Sequence, residues 1–241
     1  MNTTIDNLEI EGVNLEISDD FRAAYKSIEA GKNVFLTGKA GTGKTFFLKA
    51  LCKLTKKKHV VVAPTGVAAI NAGGQTIHSL FNLPFKPLLM SDNFFQTRSS
   101  KPSDETIYAR FSDNKKELFK NLDLLIIDEI SMVRCDVFSS IDKILKIFRE
   151  KYSLPFGGAQ VVVIGDPFQL PPVIKPIEQK ILSEEYKGRF FFSTSEYENA
   201  DFACHELTVV RRQHDPDFIN LLNRVREGTI GDNEIAILRG R

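Results

Sequence analysis

Four short apolar runs set the limits on how this chain can fold: "NVFLTG", "HVVVAPTG", "LDLLIIDE" and "AQVVVIGD". None alternates polar with apolar residues, and each ends in small, charged or proline residues, so each reads as a strand buried on both faces. Helical spacing fills the gaps, over about Lys44 to Leu54 and again near Phe138 to Phe148. An earlier helix is expected in "SDDFRAAYKSIEAGK", where Phe21, Ala24, Tyr25 and Ile28 share a face, Ser18 stands in the capping position and Gly31 ends the run. Strands alternating with helices predict an α/β three-layer sandwich, a mostly parallel sheet with helices on both sides.

Composition narrows the partners. The 241 residues are 42% hydrophobic, enough for a sizeable core, and the formal net charge of +1 gives no global basic field, so any polyanion site has to be local. Cys52, Cys135 and Cys204 are widely spaced and form no paired motif, which suggests neither a disulfide framework nor zinc and fits a reducing cytosol. The opening "MNTTIDNLEIEGVNLEI" is acidic where an export signal needs basic residues, and the apolar runs are too short to span a bilayer. A cytoplasmic or nucleoid-associated location, with no membrane partner, is expected.

Residues 82–117 break the strand–helix rhythm with prolines, serines and charges of both signs, and read as a partly mobile insertion. In "DPDFINLLNRVREG" Phe218, Leu221, Leu222 and Val225 lie on one face before a glycine stop, and a further short helix is expected from Asp232.

"GKAGTGKT" comprises Gly38, Lys39, Ala40, Gly41, Thr42, Gly43, Lys44 and Thr45, and matches the phosphate-loop pattern between a buried strand and a helix. Its glycines let backbone N–H groups surround phosphate oxygens and the helix N-terminus adds positive potential. Lys44 can reach the β and γ phosphates and Thr45 can bind Mg²⁺. The competing reading is a glycine-rich turn that merely caps the helix.

The third run ends in Asp128 and Glu129, and the carboxyl ends of parallel strands are where ligands collect. Asp128 suits Mg²⁺, while Glu129 is free to orient or deprotonate an attacking water; a helix cap with solvated acids accounts for one carboxylate and not for two. The fourth run continues as "GDPFQLPPV", bringing Gln169 to the same rim with Pro171 and Pro172 to stiffen its loop. An amide that donates and accepts suits a γ-phosphate and a water together; otherwise Gln169 is a surface turn residue.

Taken in order, "GKNVFLTGKAGTGKT", "APTGVAAINAGGQTIHSLF", "IIDEISMV", "GDPFQLPPV" and "LTVVRRQ" resemble the superfamily 1B DNA helicases that move 5′ to 3′, of the petite-integration-frequency type and related to RecD and Dda. The likeness runs from Gly31 to about Arg241. The first motif alone would indicate only an NTPase; the ordered series is specific.

The resemblance implies a P-loop NTPase domain of RecA-like fold over residues 1–241, ATP and Mg²⁺ as cofactors, and single-stranded and forked duplex DNA as partners. It implies a DNA path along Pro64, Thr65, Gly66, His78 and Ser79, with Thr65 and Ser79 on phosphates and the rings of His78 and Phe81 on bases; without it, "TIHSLF" reads as a helix with one polar histidine and Phe81 as core. It implies a wedge subdomain at 82–117 and an arginine finger at Arg212, with Arg211 a rival. Phe21 stands near the place of a family glutamine that reads adenine, which leaves adenine selection open. A second RecA-like domain is expected outside this chain, so that the chain alone binds nucleotide without unwinding. A nucleotide-gated DNA-binding module without motor activity is the alternative, and a small-molecule P-loop kinase is a weaker one that gives no reason for "GDPFQLPP".

Overall fold

A computed structural model describes residues 9–10, 13–14, 17–98, 105–210, 216–231, 235 and 239. A two-residue antiparallel pair, β1 (Glu9–Ile10) with β2 (Val13–Asn14), precedes α1 (Asp19–Glu29). The body is then β3 (Val34–Gly38), α2 (Lys44–Leu54), β4 (His59–Ala63), α3 (Gly66–Asn71), β5 (Gln75–Thr76), α4 (Ile77–Leu80), α5 (Asp113–Asn121), β6 (Leu124–Ile127), α6 (Cys135–Arg149) and β7 (Gln160–Ile164). It ends with α7 (Pro176–Leu182), α8 (Ser195–Asn199), β8 (Ala203–Leu207) and α9 (Pro216–Glu227). Six strands form one sheet in the order β5-β4-β6-β7-β3-β8, with every neighbouring pair parallel.

Uninterrupted apolar strands suit this sheet because each face has its own core. Successive side chains point to opposite faces. In β6, Leu124 and Ile126 join Phe47, Leu48 and Leu51 of α2, whereas Leu125 and Ile127 join Phe138, Ile141 and Leu145 of α6. Val162 and Val163 of β7 divide in the same way. The four apolar runs are thus β3, β4, β6 and β7, and the helix expected near Phe138 to Phe148 is α6, longer at both ends. Strands β5 and β8 lie at the sheet's two edges; β8 is "ACHEL", mostly half-exposed or exposed, and an edge strand needs no continuous apolar run.

Ser18 does stand at the N-cap of α1, but its hydroxyl donates to the Asp20 carboxylate and makes no cap bond. Gly31 follows the helix with φ +82°. Phe21 is 4% exposed, packed on Phe46 and Phe47 with centroids 6.1 and 4.6 Å away, so its ring belongs to the core.

Within segment 82–117, Leu83, Leu88, Phe95, Ile107 and Phe111 are buried in the α6-side core. Its first part is tied to the start of α6, where the Leu88 N–H donates to the buried Asp136 carboxylate at 2.9 Å and Arg134 bridges Asp136 (2.7 Å) to the Lys86 carbonyl (3.3 Å). From Asp113 the segment is already helix α5. At the other end, Gly228 (φ +69°) follows α9, and Leu221 is buried while Val225 is 43% exposed. The side chain of Phe218 lies outside the described residues, as does the stretch from Asp232 apart from Ile235 and Arg239.

Candidate functional site

Because the strands are parallel, β3, β4, β6 and β7 all deliver their carboxyl ends to one rim. At β3 the chain turns through Gly41 (φ +78°) and Gly43 (φ +95°), left-handed conformations that suit glycine, directly into α2. Gly38 is packed so closely that an added Cβ would lie 2.6 Å from Thr42 Oγ1 and 2.7 Å from the Leu207 carbonyl oxygen. Thr42 is buried and donates to the Lys39 carbonyl at 2.9 Å, closing the loop on itself. The Lys44 ammonium donates to the carbonyls of Gly38 (2.6 Å) and Lys39 (3.1 Å). Burial lowers the Lys44 pKa, opposed by the charges of Asp166, Glu129 and Asp128.

Asp128 leaves β6 with its N–H bonded to the Val62 carbonyl at 2.9 Å. It is 9% exposed, and burial, reinforced by the neighbouring Glu129 charge, raises its pKa to about 6. Glu129 adopts φ +50°, a left-handed residue that opens the 3₁₀ turn Ile130–Met132 and turns the chain sharply at the strand end.

Thr45, Asp128, Glu129 and Gln169 line one cavity of about 330 Å³, together with Thr65 and Ser131. A hydroxyl and a buried carboxylate on one cavity wall, with the Lys44 charge near Asp128, form a donor set that fits Mg²⁺ held against phosphate oxygens. Ser131 has no counterpart among the expected site residues. Its Oγ is buried and has no hydrogen-bond partner, so a polar group is available at this wall; the signal was its place in "DEIS", immediately after the carboxylates.

Gln169 is held by its loop. Its N–H donates to the Asp166 carbonyl at 2.9 Å, and the Phe168 N–H donates to Asp166 Oδ1 at 3.1 Å. Asp166, 1% exposed, forms an ion pair with Arg226 of α9 at 3.0 Å. Arg226 was not legible as its partner, since the two residues meet only through tertiary packing.

Among the residues expected along a DNA path, Thr65 borders the cavity and caps α3, its Oγ1 accepting the Ala68 N–H at 3.2 Å; Pro64 is half-buried and Gly66 exposed. Ser79 is exposed and its carbonyl accepts Lys115 Nζ at 2.5 Å. The His78 ring stacks on Phe85, centroids 4.9 Å apart and planes 12° from parallel, and Phe85 is 87% exposed. Burial, then the nearby Arg134 charge, lowers the His78 pKa. Phe81 corrects the expected use of its ring on bases: it is fully buried and stacked on Phe119 at 5.2 Å. Arg211 and Arg212 lie outside the described residues.

A glycine cradle entering a helix, adjacent carboxylates just past the end of β6 and a strand between β6 and β3 define a P-loop NTPase of RecA-like build. The PIF1-like helicase family matches residues 16–235, and the chain belongs to that family. The ATP-dependent DNA helicase PIF1 of Danio rerio is 35% identical over 224 residues, covering 92% of this chain and 32% of the relative. The ATP-dependent DNA helicase Pif1 of Campylobacter jejuni is 34% identical over 214 residues, covering 88% and 44%. The solved Pif1 helicase from Bacteroides in complex with ADP-AlF3 and single-stranded DNA superposes with a TM-score of 0.82 at 44% identity, covering 93% of this chain and 49% of that one. The chain therefore spans about a third of the zebrafish relative and about half of the solved structure. No helix among the described residues is long and apolar enough to cross a membrane.

Proposed function

We propose that this chain is the nucleotide-binding front half of an ATP-dependent 5′-to-3′ DNA helicase, in which ATP hydrolysis drives translocation on single-stranded DNA and unwinding of forked duplexes. The observation that supports the reading is one cavity lined by Thr45, Asp128, Glu129 and Gln169 and also by Thr65, a residue of the proposed DNA path.

Thr45 and Asp128 hold Mg²⁺, which when bound neutralises charge on the phosphates. Gly38 to Thr45 wrap the phosphates with backbone N–H groups, and Lys44 exchanges its loop carbonyls for phosphate oxygens. Glu129 orients the attacking water and takes up its proton, and Gln169 reads whether a γ-phosphate is there. Arg212, or its neighbour Arg211, completes the site as the arginine finger. Single-stranded DNA runs over Pro64, Thr65, Gly66, His78 and Ser79, with the exposed Phe85 ring beside His78 as a stacking face. Segment 82–117 acts as the wedge, supported by its anchorage on Asp136. A second RecA-like domain supplies the facing wall, and the free thiols of Cys52, Cys135 and Cys204 suit a cytoplasmic or nucleoid-associated setting.

The test is ATP turnover and strand displacement by the full-length protein, with and without single-stranded DNA. Hydrolysis that does not respond to DNA, or that persists undiminished in Lys44→Ala and Glu129→Gln, would overturn the assignment.

A further inference from the structure

The Asp166–Arg226 contact does more than bury a charge pair. Arg226 Nε lies 3.0 Å from Asp166 Oδ2 and 3.3 Å from Oδ1, a second guanidinium nitrogen lies 3.2 Å from Oδ1, and the guanidinium sits over the Phe168 ring at 4.4 Å. The same Asp166 receives the Phe168 N–H on its carboxylate and the Gln169 N–H on its carbonyl. The side chains are 1% and 16% exposed, so separating them would strand a charge away from water. Guanidinium, carboxylate, ring and the Gln169 backbone are therefore one connected unit, and Gln169 cannot shift far without taking α9 along. Room for such a shift exists: a mostly apolar cavity of about 430 Å³ lies between Lys39 and Ala40 of the phosphate loop, Gln169, and Leu222 and Val225 of α9.

We propose that Arg226 is a positioning residue that couples the Gln169 loop to α9, so that a tri- or diphosphate at the phosphate loop sets the position of that helix. This rests on the reading of Gln169 as the nucleotide sensor. Arg226 touches no reacting atom; it acts through Asp166.

The test is hydrogen–deuterium exchange on the whole chain saturated with Mg-ADP and, separately, with a non-hydrolysable ATP analogue. Peptides covering α9 are expected to exchange at rates differing by about fivefold or more between the two, the low end of ordinary site-to-site coupling. Equal exchange in the wild-type chain overturns the proposal whatever any variant does. Arg226→Ala is expected to abolish the difference and to reduce the triphosphate-over-diphosphate preference, with ADP affinity unchanged; Arg226→Lys, which keeps the charge and loses the planar fork, retains part of it. Equal loss of affinity for both nucleotides is mere structural damage and counts against coupling. Gln169→Ala separates the two readings. A difference in α9 that survives Gln169→Ala overturns the sensor and this route together; one that Gln169→Ala removes and Arg226→Ala leaves intact overturns the ion-pair route alone.

Discussion

Lys44 places its ammonium 2.6 Å from the carbonyl oxygen of Gly38, so the residue that opens the phosphate loop also holds the cation the loop presents. Both ends of the loop are thereby tied together by the first residue of α2. Lys44→Ala is expected to lower ATP turnover by the full-length protein about a hundredfold or more, the scale for deleting one charge-stabilising donor. The variant should also bind a fluorescent nucleotide more weakly in titration, because phosphate contacts and loop closure are lost together.

Gly38→Ala tests the cradle itself. The new methyl would meet the Thr42 hydroxyl at 2.6 Å and the Leu207 backbone at 2.7 Å, and a strand backbone cannot give way cheaply. A loss of about 1–3 kcal/mol is expected from overpacking, read as a lower urea midpoint with an unchanged slope. Nucleotide affinity should fall with it. A variant of wild-type stability would mean that the close approach of β8 does not constrain the loop.

Glu129→Gln separates binding from turnover. Glu129 lines the cavity but lies outside the phosphate cradle, so nucleotide affinity should be preserved while turnover falls about 10²–10⁴-fold, the span of a positioned general base. Steady-state hydrolysis beside equilibrium titration measures both. A parallel fall in affinity would shift Glu129 from the chemistry to the binding of the nucleotide.

His78 carries a pH signature. Its pKa is lowered in the fold by burial and by Arg134, below the 6.5 of a free histidine. Above that value both folded and unfolded chains are neutral at this residue and it contributes nothing. As pH falls below it, the unfolded chain takes up the proton first, so stability is lost until the folded pKa is passed. His78→Gln should therefore flatten the dependence of the urea midpoint on pH below the free-histidine value of 6.5; an unchanged slope would refute the shift.

Phe85→Ala isolates the exposed ring. At 87% exposure its removal should leave thermal stability nearly unchanged. Single-stranded DNA affinity of the full-length protein should drop by about 1–3 kcal/mol, the worth of one base stacked on an aromatic ring. Phe81→Ala should do the reverse: fully buried, it is expected to cost about 3–5 kcal/mol of stability.

The two phenylalanines mark where residue order stops being informative. Phe81 and Phe85 stand four residues apart in "LFNLPF", and nothing local says that the first packs on Phe119 while the second stacks on His78 in solvent. The same holds for β8, an edge strand whose half-exposed residues carry no apolar run, and for Ser18, whose capping position is right while its hydroxyl turns to Asp20.

The sequence by itself determined the two-sided sheet, its four inner strands, the phosphate loop, and the residues Asp128, Glu129 and Gln169 at the strand ends. Each of these signals is local: burial on both faces demands continuous apolar residues, and a phosphate cradle demands glycines and a lysine within one turn. Only the tertiary structure decided that Ser131 and Thr65 border the same cavity and that Asp166 is neutralised by Arg226. Those facts depend on which helix is laid across which strand end. A charge placed at a buried strand tip announces that it needs a partner, and only packing says which residue supplies one.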